Sequence, residues 1–248
     1  MTNLKLFDHY SIRARLQPAL LTLLPAAVGI FAWPGPGIKW ESALWTLFGT
    51  VGGTFFLAIL ARNLGKQIEP GLWQSWGGSP TTQLLRHTGI GNPVLRERWH
   101  KFLATLLGKP FPTPEEERAN TKSADDVYNA GIKLLINKTR DVKKFHLVYK
   151  ENVQYGYCRN LLAMRLMGVL FSLLGSIACL AAGLWNAHIA DSKIYPWVCL
   201  ATDLLFLAWW IFTIKPDWVK VPAFAYAERL LESTENLTHS RKAGMGRK

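Results

Sequence analysis

The chain has 248 residues, 49% hydrophobic and 19% charged, with 11 Trp and a net charge of +12. Its apolar residues gather in four blocks that hydrocarbon would solvate and a globular core would not, which argues against a fully soluble protein. Three cysteines, two of them inside apolar blocks, argue against a disulfide framework or a cysteine metal site and fit a reducing compartment. The cationic excess points to nucleic acid, nucleotides or anionic lipid as partners.

The first block, 16–33, carries no charge and follows Arg13 and Arg15. It exits into Trp33-Pro34-Gly35-Pro36-Gly37 without the small residues of a cleavage site, so it reads as a retained helix rather than a signal peptide. Pro18 sits at its first turn, and Pro25 is a place for a kink. The second block, 43–61, is closed by Arg62, and the short Pro- and Gly-rich connection makes the pair a hairpin.

The middle region, 62–165, holds 17 Lys and Arg against nine Asp and Glu. A helix is expected over 94–107, where Leu95, Trp99, Phe102, Leu103 and Leu106 share a face. Thr113-Pro114-Glu115-Glu116 has the form of a capping box with Pro at the first helical position. Ser123-Ala124-Asp125-Asp126 opens another helix toward 137. From Asp141 the only breaker is Gly156, which predicts one long helix running into the third span.

The third and fourth blocks, 166–185 and 195–214, form a second hairpin. Each block approaches the ~20 residues that cross ~30 Å of hydrocarbon. The tail 215–248 is expected to hold an amphipathic helix over 215–237 starting near Pro222, with a basic, disordered end from Arg241. The fold class is therefore all-α: a four-helix transmembrane protein of two hairpins (segments 1–61 and 166–214) around a mostly helical basic region. Lys and Arg number 27 on one side of this scheme and two, Lys39 and Lys193, on the other. The positive-inside rule then places both termini and residues 62–165 in the cytoplasm.

Asp203 lies near the middle of the fourth block. A carboxylate there costs about 2.5–3.5 kcal/mol on insertion scales, so it should face protein or water. It reads either as a pore or relay carboxylate or as a neutral group hydrogen-bonded between helices. Thr46, Thr50 and Thr54 make a hydroxyl stripe that either lines a wet path or bonds back to its own helix. Gly168, Ser172, Gly175, Cys179 and Ala182 form a small-residue seam for close helix packing, the partner helix belonging to this chain or to another copy.

Gly77, Gly78, Ser79 and Thr81, with Arg86 and His87 behind them, are the candidate phosphate site; a plain loop-to-helix cap explains the same residues. Lys143, Tyr155, Tyr157 and Arg159 offer aromatics interleaved with cations, either for stacking bases or as an interfacial belt. No catalytic motif is present, and His87, His100 and His146 lack metal-ligand spacing, so neither an enzyme nor a cofactor or metal is expected.

These features read as a gated membrane assembly: a homo-oligomer in which several Asp203 carboxylates surround a cation path and a cytoplasmic ligand moves the helices. WGGSPTTQLLRH at 76–87, ENVQYGYCRNLL at 151–162 and Asp203 also carry a layout that resembles bacterial anti-phage membrane effectors, most of all the channel effectors of Hailong systems. That resemblance implies a tetrameric channel in the bacterial inner membrane. It also implies control by a DNA oligonucleotide that a partner nucleotidyltransferase makes. A transporter using Asp203 as coupling residue, a membrane enzyme acting on lipid, and a structural scaffold are the alternatives.

Overall fold

Uninterrupted apolar runs and capped polar runs both become helix here, and among the described residues there is no strand. The structure is a computed structural model describing residues 9–33, 40–188 and 194–245, with side chains described at 10–33, 52–188 and 194–238. In chain order the helices are α1 (Ile12–Phe31), α2 (Trp40–Ser75), α3 (Pro80–Leu85), α4 (Pro93–Leu107) and α5 (Pro114–Ala119). There follow α6 (Thr121–Lys138), α7 (His146–Ala163), α8 (Arg165–His188), α9 (Tyr195–Phe212) and α10 (Pro216–Met245). They form two compact units, Met1–Glu69 with Gly156–Val219 and Pro70–Tyr155 with Lys220–Lys248; the divisions fall inside α2, α7 and α10.

In the first unit α1, α8 and α9 are long and apolar enough to cross a membrane. Their outward residues, Phe31, Leu166, Leu205 and Phe212 among them, are exposed, as lipid-facing residues are. The expected second span lies within α2, but its side chains before 52 fall outside the described residues. The helix does not stop at Arg62 as expected; it runs on to Ser75 through Pro70.

α1 begins four residues before the expected span, with a π-helical turn over Ile12–Leu16. Pro18 accounts for it. In an α-helix the Ala14 carbonyl would accept from residue 18, but Pro has no N–H. That carbonyl instead accepts from the Asn160 side-chain amide at 2.7 Å, and the Gln17 amide reaches back five residues to Ile12.

The small-residue seam of α8 is wholly buried, and its partners belong to this same chain. A Cβ on Gly168 would overlap the Trp210 indole; on Gly175 it would meet the Asp203 carboxylate and the Pro25 carbonyl; on Gly183 it would meet Trp197. Gly29 of α1 lies against the Gly175 backbone. The absence of side chains thus brings α1 and α9 onto α8 from two directions.

The second unit has its own core, in which Trp99, Leu103, Tyr128, Leu135, Leu230 and Leu231 are buried together. α4 matches its expected face and is closed by Asn92 at the start and Gly108, at φ 70°, at the end. The capping box is present: Thr113 accepts from the Glu116 amide at 3.2 Å, and Glu116 from the Thr113 amide at 2.8 Å. Thr113→Ala should lower stability by about 1 kcal/mol, read as an earlier unfolding midpoint of the detergent-purified chain; an unchanged midpoint would show that Pro114 alone starts α5.

Further boundaries also differ from expectation. α6 opens earlier than Ser123 because the Asn120 side chain accepts from the Ser123 amide at 3.0 Å. α7 starts at His146 rather than Asp141, whose carboxylate takes the Lys143 and Lys144 amides into a turn. α7 and α8 are separated at Met164, whose amide is shared between the Asn160 and Leu161 carbonyls. α10 starts at Pro216 instead of near Pro222 and stays helical to Met245, past the expected disordered end at 241.

Candidate intramembrane polar site

Asp203 is fully buried in α9, facing α8. Its Oδ2 accepts from the Cys179 thiol at 3.6 Å, and its Oδ1 has no partner. Gly175 is what makes room for the carboxylate, since any larger residue there would displace it. Across from it, α8 carries three more buried groups without a hydrogen-bond partner among the described residues: the hydroxyls of Ser172 and Ser176 and the side-chain amide of Asn186. Ser172 and Ser176 are one turn apart, and Asn186 falls on the same buried face. The file extends along about 21 Å of helix at 1.5 Å per residue, most of a hydrocarbon core.

Each such group would cost several kcal/mol in lipid if left unsatisfied. The chemistry of the set is carboxylate, hydroxyl and carboxamide, groups whose oxygens take water, protons and hard cations. Arg165 is not part of it: its guanidinium donates to the Trp210 and Ile211 carbonyls at the far end of α9. Thr54 is buried in α2, whereas Thr46 and Thr50 lie outside the residues with described side chains.

The loop at 76–87 is brought together, but as a structural cap. Gly77 and Gly78 take φ of 89° and 134°, conformations that need glycine. The Ser79 hydroxyl accepts from the Thr82 amide and is within hydrogen-bond distance of the Thr81 and Thr82 hydroxyls. Arg86 donates twice to Asp125, at 2.8 and 2.6 Å, and once to the Gly77 carbonyl at 2.7 Å. The cation assigned to an incoming phosphate is already paired, and this bond to Asp125 holds its pKa above the ordinary value.

His87 is likewise occupied. Its amide donates to Glu117 at 2.9 Å and its ring bonds the Pro112 carbonyl at 3.0 Å.

Of the 143–159 set, Lys143 and Tyr155 belong to the second unit and Tyr157 and Arg159 to the first. Tyr155 is buried and stacks on Tyr226, ring centroids 6.3 Å apart, while Tyr157 packs beside Leu161 and Trp210. Arg159 is 4% exposed and donates to Glu69 at 2.7 Å and to Asn160. Of these four residues Lys143 stays exposed. The sequence reading missed Glu69, Ser176 and Asn186; the signal for the last two was their spacing from Ser172 on an otherwise apolar helix. Compared with protein-family models, curated proteins and solved structures, the chain matches none of them.

Proposed function

We propose that this chain is a multi-pass inner-membrane effector that passes cations across the bilayer, under control of an anionic nucleotide or oligonucleotide on its cytoplasmic side. The observation that carries the reading is Asp203, fully buried in a membrane-length helix with Oδ1 unpartnered beside a file of buried hydroxyl and amide groups. Because its own chain encloses Asp203, the reading favours a path inside each copy over one at the axis of a ring. Homo-oligomers, tetramers by resemblance, would then hold one path per copy. Anti-phage defence is the role the same resemblance implies.

With Arg86 and Arg159 committed to carboxylates, the anionic ligand is assigned to exposed Lys133, Lys138, Arg140, Lys143, Lys144 and Lys150. Ligand affinity should fall steeply with salt, as counterion release requires. Enclosure of Asp203 also favours the transporter reading, in which the carboxylate binds and releases one ion per cycle.

Planar-bilayer recording and liposome flux separate the two. Unitary current steps mean a channel, saturable flux without steps means a transporter, and silence with and without nucleotide ligands overturns both. In either case Asp203→Asn, which keeps size and hydrogen bonding, should fold and insert yet pass cations at least about tenfold more slowly. Unchanged flux and selectivity would make Asp203 a packing group. For topology, reporter fusions at residue 90 and at the C-terminus should report cytoplasm and those near 37 and 191 the far side; a periplasmic signal at 90 would overturn the scheme.

A further inference from the structure

At the start of α1 a groove of about 220 Å³ opens between that helix and α2. It is lined by the apolar Ile12, Leu16, Phe55, Ala58 and Ile59 together with Ser11, Arg15 and Arg62. Neither arginine has a carboxylate partner among the described residues. Arg15 donates to the Ser11 hydroxyl at 3.3 Å and lies 5.5 Å from the centre of the Tyr10 ring, contacts that orient its charge without neutralising it. Ile12, Arg15 and Leu16 stand on the π-helical turn, a local geometry that recurs at functional sites.

Apolar walls together with two guanidiniums that no described carboxylate pairs define an amphiphilic anion. The volume is below the ~300–1,000 Å³ of pockets that enclose a small molecule, so the occupant lies along the groove rather than inside it. Ile12, Phe55 and Ile59 are also exposed, which leaves the groove open along its side to surrounding hydrocarbon. We infer that this groove is a binding site for an anionic phospholipid, its phosphate between Arg15 and Arg62 and one acyl chain along Ile12, Leu16, Phe55 and Ile59. Basic pockets at the cytoplasmic ends of spans suit such headgroups, and Arg gives a phosphate two-pronged hydrogen bonds. The inference rests on the membrane reading and is independent of cation passage.

The test is native mass spectrometry of the full-length chain in detergent, titrated separately with dioleoyl-phosphatidylglycerol, dioleoyl-phosphatidylcholine and inorganic phosphate. Phosphatidylglycerol should be retained saturably, phosphatidylcholine should not, and free phosphate should not compete. Arg15→Gln with Arg62→Gln should weaken phosphatidylglycerol binding about tenfold or more, while Arg165→Gln leaves it unchanged. Ile59→Glu, at an exposed wall position, places a carboxylate in the groove and should weaken binding to a similar degree; it decides the matter if the double variant does not fold. Equal retention of both lipids, competition by phosphate, or wild-type affinity in the folded variants would overturn the site.

Discussion

Arg159→Ala is expected to destabilise the membrane unit by about 2–3 kcal/mol, because it removes one of the two cations, Arg159 and Lys66, that pair with a buried carboxylate. Arg159 and Glu69 are 4% and 7% exposed, and their bond measures 2.7 Å. Arg159 also donates to the Asn160 side-chain oxygen while the side-chain amide of Asn160 donates to the Ala14 carbonyl, so α1, α2 and α7 meet in one network. The control is the double substitution Arg159→Met with Glu69→Leu, which removes both charges and should recover most of the loss. Denaturant unfolding in detergent gives the numbers; a single-variant loss under about 1 kcal/mol would make the pair dispensable.

Acid should act on the same pair. Burial pushes the Glu69 pKa up, but Lys66 and Arg159 together outweigh it and hold it below its ordinary 4.5. A carboxylate lowered in the folded state contributes stability above its unfolded pKa. That contribution is lost as pH falls from about 4.5 through the lower folded value.

Glu117→Ala is the second large effect, at about 3 kcal/mol or more, because one buried carboxylate satisfies four donors. Glu117 is 2% exposed and accepts from the Tyr128 hydroxyl at 2.6 Å, the His87 amide at 2.9 Å, and the Thr88 hydroxyl and amide at 3.1 and 3.3 Å. Tyr128→Phe deletes one donor and leaves the acceptor served, so it should cost only about 1 kcal/mol. Equal losses for the two would refute the shared-acceptor account.

The pH profile of this unit should fall in two stages. His100 is lowered, first by its burial, so unfolded chains take up protons that the folded unit refuses as pH drops below 6.5. Glu117 follows below 4.5: burial raises its pKa, but the Tyr128, His87 and Thr88 bonds prevail and lower it. Replacing His100 by Gln should remove the first stage alone, checked by unfolding midpoints between pH 7 and 5.

Helix type and most caps were legible because they depend on near neighbours. Ser79 and Thr113 each bond an amide three residues on, a distance that a sequence displays directly. Partner choice was not legible. Arg86 and Arg159 looked available for phosphate because Asp125 and Glu69 lie 39 and 90 residues away along the chain. A string of residues shows charge and not what it closes upon. Pro18 was read as a helix start, yet its missing amide acts backward on Ala14 and creates the π turn. The seam on α8 was visible, whereas its in-chain partners, Trp210, Asp203 and Trp197, were not.

Those partners make α8 and α9 a pair of toothed rods. Reading up one helix and down the other, Gly168 receives Trp210, Gly175 receives Asp203, and Gly183 receives Trp197. Sliding by one helical turn would drive each tooth against an occupied position, and rotation of either rod would bring Cβ atoms into the notches. A rearrangement of this unit must therefore carry α8 and α9 as one rigid body and place its moving joint elsewhere. Among the described residues, one interruption next to this pair is Met164, whose amide is shared between two carbonyls where α7 gives way to α8.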